Sequence, residues 1–127
     1  MRYIVESGKS IDVAVADLQT AVAEHKFGVL NILDLQQTLK SKGQDLAHSC
    51  FILDVCNPVQ AVKVLNEDMS MNIALPCRVS VYEEGGTTKI AMVKPMAMLT
   101  ALSDSEVLAA VAEEVEATLI DIIDAAK

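Results

Sequence analysis

A cysteine stands directly before a helix-start signal near the middle of this 127-residue chain. Cys56 is followed by Asn57 and Pro58, residue types that favour the N-cap and the first position of a helix, and Gln60 at the third position could close a capping box. The partial positive charge of a helix N-terminus stabilises a thiolate, so Cys56 could serve as a reactive thiol. The alternative is that Cys56 is a small residue ending a strand and that the next two residues only start the helix.

A second cysteine, Cys77, lies directly before Arg78. The guanidinium of Arg78 could favour a thiolate or bind an anion. Alternation along the predicted strand puts Cys77 on the same face as Val79, which predicts a buried and inert thiol. The same alternation places Cys56 on the opposite face. A bridge between Cys56 and Cys77 would therefore need a bulge or a local turn.

Neither histidine belongs to a metal-binding motif. His25 lies near the C-terminal end of the first predicted helix, in phase with its apolar face, where the helix dipole favours an imidazolium. His48 stands in a predicted loop, and two histidines cannot form an HExxH motif or a triad. We therefore predict no metal site. The sequence also contains no GxGxxG, GxxxxGK[ST] or GxSxG motif, so it does not indicate a reaction.

The cysteines and the N-terminal residues indicate a reducing compartment. Cys50, Cys56 and Cys77 are an odd number at spacings that match neither a CxxC pair nor a paired zinc signature. The first six residues end on an acid and lack the apolar core of a signal peptide. We expect reduced thiols and a cytoplasmic location. No uncharged apolar run approaches the roughly 20 residues of a membrane span.

Composition and charge exclude several classes of partner. With 10 basic and 18 acidic residues, the net charge of −8 would repel a phosphate backbone, so nucleic acid is not an expected partner. Aromatic residues make up 3%, too few for a row of base-stacking side chains.

Hydrophobic residues make up 52%, enough for one core spanning residues 1–127, and the length leaves no room for separate cofactor and substrate domains.

Hydrophobic periodicity and turn residues predict the order β-α-β-(α)-β-α-β-β-α. The predicted strands lie at 2–7, 27–32, 48–56, 73–84 and 88–93. The predicted helices lie at about 10–25, 33–42, 57–66, 95–102 and 103–125. A hairpin between the last two strands favours an α+β fold, an antiparallel-rich sheet with helices on one face, near the ferredoxin-like plan. A flavodoxin-like parallel sheet is the alternative, disfavoured because the strands alternate in polarity.

The last predicted helix is acidic, because residues 104–127 hold seven acids and one lysine. One apolar stripe faces the body of the protein; it consists of Leu108, Val111, Val115, Leu119 and Ile122. Ile120 falls on the acidic side and Ile123 at the margin of the stripe. Burial of such side chains stabilises a twofold contact, so we predict that both isoleucines lie at or beside a homodimer interface.

Three segments of the chain carry a resemblance to a known family: 27–30, 54–58 and 75–79. Together with the residues Val81-Tyr82-Glu83 and Gly86-Thr87, they resemble the bacterial and archaeal family called domain of unknown function 302, over nearly the whole chain. The resemblance implies a compact α+β domain, often a homodimer, without an established activity. The recurrent positions of the family fall on Cys56, Asn57, Pro58, Pro76, Cys77 and Arg78.

We consider three functions. The favoured one is a dimeric binding module, rather than an enzyme, that holds a small ligand, a cofactor or a protein partner where the helix after Cys56 meets the strand at Cys77. Its candidate ligand-binding residues are Cys56, Asn57, Pro58, Cys77, Arg78 and His25. The alternative is a thiol-dependent sulfur-transfer or redox protein that uses Cys56. The third is a haem-like cofactor with His25 or a cysteine as axial ligand, although the covalent CxxCH motif is absent.

Overall fold

The computed structural model describes residues 1–127. It contains five strands, β1 Arg2–Ser7, β2 Gly28–Asp34, β3 Cys50–Cys56, β4 Cys77–Glu84 and β5 Thr87–Val93. It contains five α-helices, α1 Ile11–Glu24, α2 Leu35–Ser41, α3 Pro58–Glu67, α4 Pro95–Leu102 and α5 Glu106–Ala126, and one 3₁₀ helix, Met69–Ala74.

The five strands form one sheet in the order β1-β5-β4-β3-β2, and all neighbouring strands run antiparallel. This confirms the predicted α+β class and excludes the parallel alternative. The β4–β5 connection is a hairpin, as predicted, and its loop consists of Gly85 and Gly86 alone. Gly85 and Gly86 adopt φ angles of 60° and 78°, as the turn that matches the twist of a hairpin requires.

The core lies between one face of the sheet and helices α1, α3, α4 and α5. Leu53 and Val55 of β3 and Val79 and Val81 of β4 are fully buried on this face, as their alternation predicts. We call it the core face. The second face carries the other set of strand residues, among them the exposed Ile4. None of the helices combines the length and the apolar character that a membrane crossing requires.

Several element boundaries differ from the predictions: β2 continues to Asp34, α2 begins at Leu35, β3 begins at Cys50, and β4 and α5 begin later than expected. The segment expected to begin a strand at Ile73 belongs to the 3₁₀ helix, whose N-cap Asp68 accepts a hydrogen bond from the Ser70 amide at 2.9 Å. Strand β4 begins one residue after Pro76, which has no amide hydrogen to give to a sheet. The N-cap of α5 is Ser105, whose hydroxyl accepts a hydrogen bond from the Leu108 amide at 3.3 Å.

The predicted interface at Ile120 and Ile123 is wrong for one of its two residues. Ile123 is 0% exposed and belongs to the core of the monomer, together with the whole predicted stripe. Ile120 is half-buried and packs against the same core. The apolar face of α5 is wider than the predicted stripe, because α1, α4 and the sheet contact the helix along its length. Ile123 is therefore not available to a partner.

Candidate functional site

A small cavity lies where the end of β3, the start of α3 and the start of β4 meet. Twelve of its 16 lining residues are hydrophobic. The lining comes from Phe27 before β2, from β3, α3, α4 and α5, and from residues 74–77 between the end of the 3₁₀ helix and the start of β4. A water-sized sphere can occupy about 30 Å³ inside it. That is room for one or two water molecules, so a larger guest requires its wall to move.

Cys56 and Cys77 both line this cavity, in contrast to the prediction that they face opposite sides of the sheet. Cys77 pairs with Val55 in the β3–β4 register and lies on the core face, as expected. Cys56 is the last residue of β3, and the chain turns into α3 directly after it. Strand alternation does not extend through that turn, so Cys56 points to the same space as Cys77.

Both thiols are protonated at neutral pH. Burial is the main cause that raises the pKa of Cys77, to about 11, and the neighbouring Cys56 contributes to the rise. Burial also raises the pKa of Cys56. Burial disfavours the charged thiolate, because the apolar cavity cannot replace its hydration. The arrangement thus holds two neutral thiols beside an apolar space.

Asn57 caps α3 as the sequence predicts. Its Oδ1 atom accepts hydrogen bonds from the amides of Val59 and Gln60, at 3.0 and 3.3 Å. Gln60, in contrast, does not return a hydrogen bond to the Asn57 amide, so the predicted capping box is not formed. Its Oε1 atom is buried and accepts no hydrogen bond from the protein. Gln60 lines the cavity and brings an unpaired polar atom to it.

Asn57→Ala is expected to lower the free energy of unfolding by about 1 kcal/mol, since two amides of the first turn lose their acceptor. Urea denaturation compared with the wild type measures the change. Asn66→Ala is the matched control, because Asn66 lies exposed near the other end of α3. Equal stability of Asn57→Ala and the wild type would contradict the capping role and assign Asn57 to ligand binding.

The other candidate residues lie outside the cavity. Pro58 is exposed at the first position of α3. The side chain of Arg78 is 71% exposed on the second face, with its Nε atom 3.6 Å from Oδ1 of Asp54. His25 caps the C-terminus of α1, where its Nδ1 atom lies 2.7 Å from the carbonyl oxygen of Ala21. His25 is therefore not placed to ligate a group in the cavity.

Sequence reasoning missed Gln60 and the walls of the cavity. The pattern Asn-Pro-Val-Gln assigned Gln60 to a capping box, and its unpaired state depends on where α4 and α5 lie. Val111 and Val115 of α5 were predicted to face the core. Both belong to the core, and both also line the cavity. Met98 of α4 also lines the cavity. No local signal distinguishes a core residue from one beside a small cavity.

An open groove of about 340 Å³ lies on the other side of the cavity wall. The two spaces share their lining along the segment 74–77 and at Pro95 and Met98. These shared residues form the boundary between the two spaces. Movement of the segment would join the two spaces into one site with both thiols and Gln60 at its inner end.

The structure contains no group of three or more His, Cys, Asp or Glu side chains that could hold a metal ion. The cavity can thus offer a guest thiols, one amide and apolar contacts. A haem-sized group does not fit the space in this conformation.

Comparison with known proteins agrees with the resemblance. The profile of the family described as domain of unknown function DUF302 matches residues 3–126. A solved structure, the crystal structure of an uncharacterized conserved protein DUF302 from Bacillus stearothermophilus, is similar over 99% of this chain and 98% of that chain, with 32% identity and a TM-score of 0.94. No curated protein matches. The profile covers nearly the whole chain, and the chain belongs to the DUF302 family.

Proposed function

We propose that the protein is a binding module for a small apolar molecule that carries a hydrogen-bond donor. The unpaired Oε1 atom of Gln60 at an otherwise apolar cavity is the observation that carries this proposal. A buried polar atom without a partner costs about 1 to 3 kcal/mol. A guest with an N–H or O–H group would recover that cost, while its apolar body would contact Val64 and Leu99.

The guest enters from the open groove in this proposal. The shared wall of residues 74–77 moves outward and the guest occupies the joined space. Cys56 and Cys77 then contact its apolar body as neutral thiols, which behave as small hydrophobic groups. The free thiols fit the cytoplasmic location that we propose for the protein.

The indole and benzofuran pair tests the donor requirement, because the two molecules have nearly the same shape and only indole carries an N–H. Amide chemical shifts report binding to the ¹⁵N-labelled protein at each residue. We expect shifts centred on the cavity lining and an affinity for indole about fivefold higher than for benzofuran, the difference that one hydrogen bond produces.

Gln60→Met separates a binding role from a structural one. The variant removes the unpaired polar atom, so we expect it to be more stable than the wild type by about 1 kcal/mol and to lose the preference for indole. Gln37→Met, on the exposed side of α2, should change neither property. Equal affinity of the wild type for both probes, or shifts away from the cavity, would overturn the proposal.

A homodimer is part of the proposal. The mean hydropathy of +0.36 supports it, because a twofold contact buries further apolar surface of a chain with this composition. Native mass spectrometry measures the assembly directly, together with any guest that remains bound. We expect a mass of twice 13.6 kDa, and a mass of 13.6 kDa at micromolar concentration would contradict the dimer.

A second candidate function is thiol-dependent sulfur transfer or redox chemistry at Cys56. The observation that favours it is that Cys56 and Cys77 line one cavity. The raised pKa of each thiol opposes it, because the thiolate is the reactive form. Alkylation of Cys56 at pH 7 as fast as that of a low-pKa thiol would favour this second function over the first.

A further inference from the structure

Both arginines of the chain line one groove on the second face of the sheet. Arg2 belongs to β1 and Arg78 to β4, and the sequence contains no other arginine. The groove has a volume of about 300 Å³ and shares no lining residue with the cavity described above. A chain with a net charge of −8 thus brings its two guanidinium groups to the same concave surface.

The strand register explains why the two arginines line the same groove. Ile4 pairs with Ala91 of β5, and Ala91 pairs with Ser80 of β4. Arg2 lies two residues before Ile4, and Arg78 lies two residues before Ser80. Because β1 and β4 run in the same direction, the two arginines occupy the same row of the sheet. They are two strands apart, about 10 Å between backbones. Side chains as long as arginine can reach one anion from both sides of that gap.

The guanidinium groups have capacity for a further partner. Arg2 forms no ion pair with any side chain of the protein. The Nε atom of Arg78 lies 3.6 Å from Oδ1 of Asp54, and Asp54 Oδ1 accepts no hydrogen bond. That distance is too long for a hydrogen bond, so the donors of Arg78 are not used by Asp54. Planar carboxylates match such donors in pairs.

The rest of the groove is largely apolar. Six of its nine lining residues are hydrophobic, and Ile4 and Val93 are 45% and 47% exposed. The volume of about 300 Å³ is at the lower end of the range for small-molecule sites. An apolar floor beside two guanidinium groups fits a molecule with an apolar body and one anionic group.

We propose that this groove binds a small amphipathic carboxylate, with its carboxylate between Arg2 and Arg78 and its apolar body over Ile4, Ile52 and Ala91. The site shares no lining residue with the cavity, and it has Arg78 and Val93 in common with the groove of about 340 Å³ beside the cavity. It adds a second ligand class to a protein whose overall charge repels anions.

The test uses 1-naphthoate and its neutral analogue 1-naphthamide as probes, with amide chemical shifts of the ¹⁵N-labelled protein as the measurement. We expect 1-naphthoate to shift the amides of β1, β4 and β5 around the groove, with saturation. We expect at least about tenfold weaker binding of 1-naphthamide, because charge-assisted hydrogen bonds are lost.

Arg2→Gln and Arg78→Gln are each expected to weaken 1-naphthoate binding about tenfold. Arg2→Gln should do so without a change in melting temperature, since Arg2 is exposed and forms no ion pair. Lys63→Gln on α3 removes the same charge outside the groove and should have no effect. Asp54→Asn should strengthen binding about threefold, because it removes the competing anion beside Arg78.

Equal binding of the two probes, or equal effects of Lys63→Gln and Arg2→Gln, would overturn the proposal. So would a dimer that Arg2→Gln dissociates while the wild type shows no shifts with 1-naphthoate. That result would assign the groove to the contact between two copies of the chain.

Discussion

Ile123→Glu should prevent folding. Ile123 has no exposed surface and lies in the core beside Leu119 and Ile122. A glutamate there would place a carboxyl group among apolar side chains, at a cost above about 4 kcal/mol. A cost of that size is comparable to the whole stability of a small domain. Circular dichroism and thermal denaturation measure the loss of the cooperative transition.

Ile120→Glu is the matched control for this variant. It lies three residues before Ile123 on the same helix, but it is half-buried, so its side chain can carry a charged end to solvent. We expect a folded protein of reduced stability. A cooperative transition for Ile123→Glu as high as that of the Ile120→Glu protein would show that α5 does not bury Ile123 in solution.

The alkaline limit of stability should depend on Cys77. Burial raises the pKa of this thiol from 9.0 to about 11, so the folded protein retains its proton where the unfolded chain loses it. The contribution to stability is complete below pH 9 and is lost as the pH rises to about 11. The expected loss over this interval is about 2 kcal/mol. Urea denaturation at several pH values measures it.

Cys77→Ala removes the group that titrates, so its stability should fall less between pH 9 and pH 11 than that of the wild type. Comparing the two slopes cancels the contributions of tyrosines and lysines, which both proteins share. Alkylation by iodoacetamide gives a second measurement, since the rate at Cys77 should still be rising above pH 9. Parallel stability curves for both proteins would show that Cys77 is solvated in the folded state.

Local patterns in the sequence predicted the five strands and the five α-helices, but not the 3₁₀ helix Met69–Ala74. Ser10 and Asn57 predicted helix starts because a side-chain oxygen before an apolar repeat satisfies free amides of the first turn. Gly85 and Gly86 predicted the hairpin because few other residues adopt positive φ angles in succession. The antiparallel α+β class followed from these signals and from the alternation of the strands, all of which act within a few residues.

The candidate site was predicted in part. Its location between the start of α3 and the start of β4 followed from the two cysteine motifs, and both cysteines line the cavity there. Their shared orientation was not predictable, because strand alternation stops at Cys56 and only the turn into α3 sets its direction. Gln60 was assigned to a cap because the sequence cannot show which polar atoms remain unpaired after packing.

The sequence by itself determined which segments form the five strands and the five α-helices, which residues alternate into the core, and that the chain is acidic with three cysteines. Tertiary structure alone decided the sheet order, the burial of Ile123, and the position of Arg2 and Arg78 in one groove on either side of β5. The physical reason is the separation along the chain over which each interaction acts. Caps, turns and alternation act between residues close in the chain, whereas burial and convergence depend on contacts between segments that are distant in it.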